Sequence, residues 1–188
     1  IVTIIGASPK RIVLGFMVAT GFLSMWVSNT AAVMMMIPIG TAITYQALVN
    51  AKKAQGDTSS IRTFEKAVIF GIGFSGTIGG LGTLIGTPPN IILAATIQKL
   101  YDVEITFASW LFFAGPLVII FLVFAWFYLV NIAFPVTLKE LPGGRQLIDN
   151  ERKTIGKMSF EEKAVLDVFL FAAFMWISRS FIWDGIIP

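Results

Sequence analysis

The feature that most constrains this chain is a long uncharged stretch with polar residues at its centre. No Asp, Glu, Lys or Arg occurs from Ile12 to Ala51, yet Ser28, Asn29 and Thr30 follow one another in the middle of it. In a membrane interior, unpaired polar groups are costly, and those that occur are usually functional. The pattern therefore predicts a site for an ion or a small ligand at membrane depth.

The composition is typical of a membrane protein. Hydrophobic residues make up 56% of the chain, charged residues only 13%, and the mean hydropathy is +0.81. Two more uncharged runs, Ala67–Gln98 and Ile105–Leu138, are followed by a shorter apolar run, Ala164–Ser178, whose one acid is Asp167. A helix of about 20 apolar residues crosses a bilayer. We therefore expect an all-α, multi-pass integral membrane protein, with transmembrane helices over 105–138 and 164–180.

The first run predicts a re-entrant helical hairpin over residues 12–51. It is long for one crossing, and no polar loop divides it into two, so both arms would enter from the same face with Ser28–Thr30 at the tip. In this topology all but two of the fourteen basic residues, Lys99 and Arg179, share one side, which the positive-inside rule makes cytoplasmic. That side includes the loop 139–163. The net charge of +3 then reflects topology, so no nucleic-acid partner is expected.

The second run, 67–98, predicts a broken transmembrane helix. Its seven glycines precede Pro88 and Pro89. Proline lacks an amide donor, disfavours the α conformation in the residue before it, and suits the first position of a helix. We therefore predict that the helix stops at Gly86–Thr87 and restarts at Pro88. Ser28–Thr30 and Gly86–Thr87 would then cap two helix starts that face one anionic ligand.

The residue types at the two breaks favour a sodium ion over a proton. Neither run contains an acid or a base, and the whole chain lacks His and Cys. A carboxylate would be held by helix dipoles, hydroxyls, amides and co-bound cations, and neutral oxygens suit a hard cation such as sodium. A proton relay would need a titratable group. Since no Cys, His or buried Lys is available to activate a serine, we do not expect an enzyme.

Two stretches carry a family resemblance: SMWVSNTAAVMMMIPIG at 24–40 and TIGGLGTLIGTPPNIILAA at 77–95. They strongly resemble the divalent anion/sodium symporter family, whose members transport succinate, malate, fumarate, citrate or sulfate. The resemblance continues through Phe160–Lys163 and covers the whole chain. In that family the Ser-Asn-Thr tripeptide occurs once in each of two inverted repeats. The chain, which begins at Ile1 without Met, therefore resembles the first half of a longer transporter.

The resemblance implies a function, partners and a set of site residues. The expected function is secondary active transport of a dicarboxylate or related divalent anion, coupled to sodium, by alternating access in a bacterial inner membrane. The expected partners are the lipid bilayer, the second half of the same transporter and a second copy in a homodimer. Carried over by position, the sodium site would comprise Ser24, Ser28, Asn29 and the backbone of Gly86. The substrate carboxylate would meet Ser28, Asn29, Thr30, Thr87 and Pro88.

Other interpretations stay open. Some members of the family are exchangers that sodium does not drive. Taken alone, the polar triplet is compatible with hydrogen bonding between packed helices, and the glycine spacings Gly76–Gly80 and Gly82–Gly86 favour close helix packing. The composition is also compatible with an ion channel pore or a membrane scaffold. Saturable, substrate-exchangeable flux would exclude both alternatives.

Overall fold

The computed structural model describes residues 8–53, 58–138, 140–141 and 158–179. The described residues fold as six α-helices: α1 Pro9–Ser24, α2 Asn29–Lys53, α3 Thr58–Gly80, α4 Pro88–Tyr101, α5 Phe107–Tyr128 and α6 Phe160–Ser178. A π-helical turn, Leu129–Ala133, extends α5. The all-α expectation is confirmed for this part of the chain.

Helices α1 and α3 run parallel and in close contact because glycines form the seam between them. Gly71 of α3 lies against Met17 of α1, and Gly79 lies against Gly21. A Cβ atom on Gly79 would lie 2.1 Å from the carbonyl oxygen of Gly21, so only glycine fits there. The seam therefore fixes the end of α1 beside the end of α3.

Helix α2 runs antiparallel to both. Near its middle, Gly40 lies against Ile72 of α3 and the ring of Phe16 of α1, while Asn29, its first residue, lies against Gly80. The turn between α1 and α2 and the end of α3 are consequently at the same end of this three-helix group.

Helix α5 packs along the group formed by α1, α2 and α3. The indole Nε1 of Trp110, near the start of α5, donates to the carbonyl of Leu81 at 2.9 Å. Further along α5, Leu122 contacts Gly21, and the indole Nε1 of Trp126 donates to the carbonyl of Lys10 at 2.8 Å. The α1–α2 turn and the end of α3 therefore lie near the first turns of α5, where the rings of Trp26 and Phe107 have centroids 6.1 Å apart.

Within the described ranges, two helical stretches are long and apolar enough to cross a membrane. They are Asn29–Lys53, with a mean hydropathy of 1.6, and Phe107–Ala133, with a mean hydropathy of 2.4. In each, only 28% of the most apolar window is buried, which differs from the central helix of a soluble protein, where most residues are buried. The exposed apolar surfaces are consistent with a lipid environment.

Helix α6 meets the α1–α2 turn through aromatic rings. Trp26 lies edge-on to Phe169, with ring centroids 5.0 Å apart. At the start of α6, Ser159 and Glu162 form a capping box, with Ser159 Oγ accepting from the amide of Glu162 at 3.2 Å. Hydrogen bonds from the backbone and from Ser159 lower the pKa of the exposed Glu161 carboxyl.

The helix boundaries confirm one sequence prediction and correct another. The second half of the broken helix restarts at Pro88, as predicted. The first half ends at Gly80 and not at Gly86, so the predicted break point was wrong. The break is longer than predicted, and the carbonyl of Gly80 accepts from the side-chain amide of Asn90 instead of from a helical amide. The predicted loop 139–163 lies largely outside the described residues.

Candidate ion and anion site at two helix interruptions

The first interruption is the turn of residues 25–28 between α1 and α2. Ser28 Oγ accepts a hydrogen bond from the amide of Ala31 at 3.3 Å, and the carbonyl of Ser28 accepts from the amide of Ala32. Ser28 is therefore the N-cap of α2, as predicted from the Ser-Asn-Thr sequence. By helical geometry the amides of Asn29 and Thr30 have no acceptor within α2.

Ser24, the last residue of α1, lies at the centre of a group of neutral oxygens. Its side chain is fully buried, and its Oγ is within hydrogen-bonding distance of two acceptors, Asn29 Oδ1 at 2.8 Å and the carbonyl of Gly76. A hydroxyl has one hydrogen and can donate to only one of them at a time. The second acceptor is left for another donor or for a cation, so the oxygen chemistry fits a small hard cation.

The second interruption is the segment 81–87 between α3 and α4. The side-chain amide of Asn90, which is 5% exposed, donates to the carbonyls of Gly80 at 2.9 Å and Thr83 at 2.8 Å. The first bond satisfies the Gly80 carbonyl, which the end of α3 leaves without a helical partner, and the second bond is to a carbonyl within the interruption. The segment is thus closed by hydrogen bonds within the interruption.

Thr87 occupies the N-cap position of α4, as predicted, but its side chain makes no capping hydrogen bond. The next two residues are prolines, which have no amide hydrogen, and the amide of Asn90 bonds to the carbonyl of Thr87 at 3.1 Å. The start of α4 therefore offers a helix dipole and a threonine hydroxyl, with fewer backbone donors than an ordinary helix start.

The two interruptions are in direct contact. Thr83 Oγ1 donates to the carbonyl of Met25 in the first turn. A Cβ atom on Gly80 would lie 2.2 Å from Asn29 Oδ1, and one on Gly86 would lie 2.5 Å from the carbonyl oxygen of Gly80. Asn29, Gly80 and Gly86 are thus stacked against one another without intervening side chains.

The structure brings together most of the residues predicted for the sodium site. Ser24 and Asn29 are hydrogen-bonded to each other. Gly86 lies against Gly80, which in turn lies against Asn29. Ser28 is exposed and its hydroxyl accepts the capping bond of α2.

The residues predicted only for the substrate lie at more open positions. Thr30 and Pro88 are exposed and Thr87 is half-buried, at the starts of α2 and α4. In the part of the chain that the structure describes, no hydrogen bond joins the side chains of Thr30 and Thr87. The site therefore has two parts. We call the oxygens around Ser24 and Asn29 the closed layer, and the helix starts at Thr30 and Thr87 the open layer.

Sequence reasoning missed two side chains of the site, Thr83 and Asn90, and the carbonyls of Gly76 and Gly80. Asn90 is the only asparagine in the run 67–98 and comes directly after two prolines, which was a signal that could have identified it. Thr83 has no such signal, because other hydroxyl residues occur in the same run.

The charges around the site are those of helix ends and neutral dipoles. Among the described residues, no group of three or more His, Cys, Asp or Glu is placed to hold a metal ion. Any cation here would be bound by hydroxyl, amide and backbone oxygens, and any anion by helix starts and hydroxyls.

Helix interruptions that meet beside an apolar span, with neutral oxygens at the meeting point, are typical of membrane transport proteins. The sequence matches the family described as the sodium:sulfate symporter transmembrane region over residues 1–186, and the chain belongs to this family. The membership confirms the family resemblance and the membrane location.

The relatives are bacterial transporters. The chain is 54% identical over 184 residues to the sodium-dependent dicarboxylate transporter SdcS of Staphylococcus saprophyticus, covering 97% of this chain and 35% of that protein. It is 52% identical over 182 residues to the protein of the same name from Staphylococcus aureus strain USA300, with the same coverage. The chain thus spans about a third of the length of these relatives.

Proposed function

We propose that the protein containing this chain is a secondary active transporter that carries a dicarboxylate, or a related divalent anion, together with sodium by alternating access. The names of the relatives support both the anion and the ion. The single observation that carries the proposal is the contact between the two interruptions, in which Asn29 lies against Gly80 beside the hydroxyl of Ser24.

Sodium would bind to the closed layer of the site. The proposed ligands are Ser24, Ser28, Asn29 and the backbone of Gly86. The hydroxyl of Ser24 supports this assignment. Its one hydrogen cannot bond to both Asn29 Oδ1 and the Gly76 carbonyl, and a cation would interact with the oxygen that is left. A buried cluster of uncharged oxygens also favours sodium over a proton, since no group in it titrates near neutral pH.

The anion would bind to the open layer. The proposed contacts are Ser28, Asn29, Thr30, Thr87 and Pro88. Helix α2 would contribute free amides and helix α4 its dipole and the Thr87 hydroxyl. A sodium ion in the closed layer would offset the negative charge of the bound carboxylate. Binding of either ligand would therefore raise the affinity of the site for the other.

The proposed topology is a re-entrant hairpin beside a broken helix. Helix α1 has 16 residues, and at 1.5 Å per residue it is about 24 Å long, less than the roughly 30 Å hydrocarbon core. The absent second repeat would complete the site, and two copies would form a homodimer.

The function is tested with the full-length protein in lipid vesicles. We expect saturable succinate uptake that requires an inward sodium gradient. Uptake that depends only on a counter-transported anion would identify a sodium-independent exchanger instead. A sustained conductance without saturation would identify a channel, and either result contradicts the proposal.

Replacing Thr87 by Ala is expected to weaken succinate binding more than sodium binding. The Thr87 hydroxyl makes no capping hydrogen bond that the substitution would remove. A hydrogen bond to a charged group is typically worth 1.5–3 kcal/mol, so we expect the KM for succinate to rise about tenfold or more. The sodium concentration for half-maximal uptake should change less than about twofold. Both are measured by vesicle uptake.

The matched control for this variant is Thr96→Ala. Thr96 is on the same helix, is exposed, and donates to the carbonyl of Ile92 one turn earlier. It should leave both parameters unchanged. A Thr87→Ala variant that loses sodium affinity but keeps succinate affinity would show that the two roles are reversed.

A further inference from the structure

We propose that Thr83 and Asn90 are positioning residues that couple the two helix interruptions, so that sodium binding sets the geometry of the anion contacts that both interruptions supply. The inference rests on the proposed function and adds two residues that touch neither ligand in it. The inference rests on a series of hydrogen bonds and contacts that runs from Met25 through Thr83, Asn90 and Gly80 to Asn29, in the same turn region.

Thr83 links the two interruptions with a single hydroxyl. Its side chain is fully buried. The hydroxyl donates to the carbonyl of Met25 and accepts from the amide of Gly86 at 3.0 Å. Because one atom makes both bonds, the position of Gly86 depends on the position of the Met25 carbonyl in the first turn.

Asn90 links the second interruption to the start of α4. The two amide hydrogens of its side chain are both used, one on Gly80 and one on Thr83. Gly80 in turn lies against the side chain of Asn29. A displacement of Asn29 would therefore be transmitted through Gly80 and Asn90 to the first turn of α4, where Thr87 stands.

Thr83 both donates and accepts a hydrogen bond, and both amide hydrogens of the Asn90 side chain are donated. Thr83 and Asn90 are almost completely buried, and a buried polar group that loses its partner is costly. The two interruptions are expected to move as one unit. Cooperative binding of sodium and the anion would thus require the Thr83 hydroxyl, although that hydroxyl bonds only to backbone groups and contacts neither ligand.

The decisive variant is Thr83→Val in the full-length transporter. Valine keeps the shape of threonine but leaves the Met25 carbonyl and the Gly86 amide without this partner. We expect the sodium concentration for half-maximal uptake to rise about tenfold or more. Thr83→Ser, which keeps the hydroxyl, should remain within about twofold of the unmodified protein.

The second readout is coupling. In the unmodified protein, raising succinate should lower the sodium concentration for half-maximal uptake, since linkage between two ligands is reciprocal. In Thr83→Val this shift should be lost or much reduced. A residue with only a structural role would lower the amount of folded protein without changing the shift.

The matched control is Thr44→Val. Thr44 is also buried, at 1% exposure, but its hydroxyl donates to the carbonyl of Thr41 within α2. This variant reports the general cost of replacing a buried threonine, and its sodium dependence should be unchanged. If Thr83→Val does not accumulate, Thr83→Cys, with a weaker donor of similar size, is expected to give an intermediate loss of sodium affinity.

The outcomes separate the inference from the function beneath it. Absence of sodium-dependent uptake in the unmodified protein would overturn the proposed function. Sodium-dependent uptake in the unmodified protein, together with normal sodium affinity and a normal succinate-induced shift in Thr83→Val or Thr83→Cys, would overturn the coupling role alone.

Discussion

Replacing Asn29 by Ala is expected to abolish sodium-dependent succinate uptake, with a loss of roughly 100-fold or more, since removing a ligand to a charged group typically costs 1.5–3 kcal/mol per bond and Asn29 serves both layers of the site. Its side-chain oxygen meets the Ser24 hydroxyl, and the same side chain lies against Gly80. The measurement is vesicle uptake with and without a sodium gradient.

The Asn29→Ala protein should still fold and insert. Asn29 is only half-buried, and Ser28, which supplies the cap of α2, is unchanged. The matched control is Asn50→Ala on the same helix, because Asn50 lies near the opposite end of α2 and bonds to Gln46. Unchanged uptake in Asn29→Ala, with the protein inserted, would contradict the assignment of the site.

Replacing Gly79 by Ala is expected to prevent α1 from packing on α3. The new Cβ atom would lie 2.1 Å from the carbonyl oxygen and 2.6 Å from the Cα of Gly21, and both are backbone atoms that no rotamer change can move. We expect a loss of stability of about 3 kcal/mol or more. Thermal unfolding in detergent and the yield of monodisperse protein measure the effect.

The control for Gly79→Ala is Gly73→Ala on the same helix. A Cβ atom on Gly73 would meet nothing within 4 Å, and alanine stabilises a helix interior by roughly 0.5–1 kcal/mol relative to glycine. The two variants should therefore change stability in opposite directions. Equal behaviour would show that the seam between α1 and α3 is not as the structure has it.

Local chemistry made part of the fold predictable. Ser28 and Pro88 mark helix starts because a hydroxyl N-cap and a proline at the first position act within a few residues of themselves. The end of α3 could not be predicted in this way. Gly79 and Gly80 are compatible with either a helix or a break, and the choice depends on Asn90, which approaches Gly80 only in the folded chain.

The candidate site shows the same division. Ser24, Asn29 and Gly86 were expected from the family resemblance, and the structure places them together. Thr83 was not expected, because its importance depends on burial against the carbonyl of Met25, fifty-eight residues away in the sequence. The glycine seam between α1 and α3 brings these distant segments together. The sequence shows where the glycines are, but it does not show which helix they pack against.

Oxidative cross-linking of Met25→Cys/Gly82→Cys in an otherwise cysteine-free full-length transporter tests most directly whether the two interruptions meet. The Cγ atom of Met25, which occupies the position that a cysteine sulfur would take, lies 3.1 Å from the position of a Cβ atom on Gly82, a proximity that is compatible with a disulfide. We expect peptide mass spectrometry to find rapid, nearly complete disulfide formation in this variant and none in Met25→Cys/Gly73→Cys. Failure of the first pair to cross-link in folded, inserted protein would contradict the shared site.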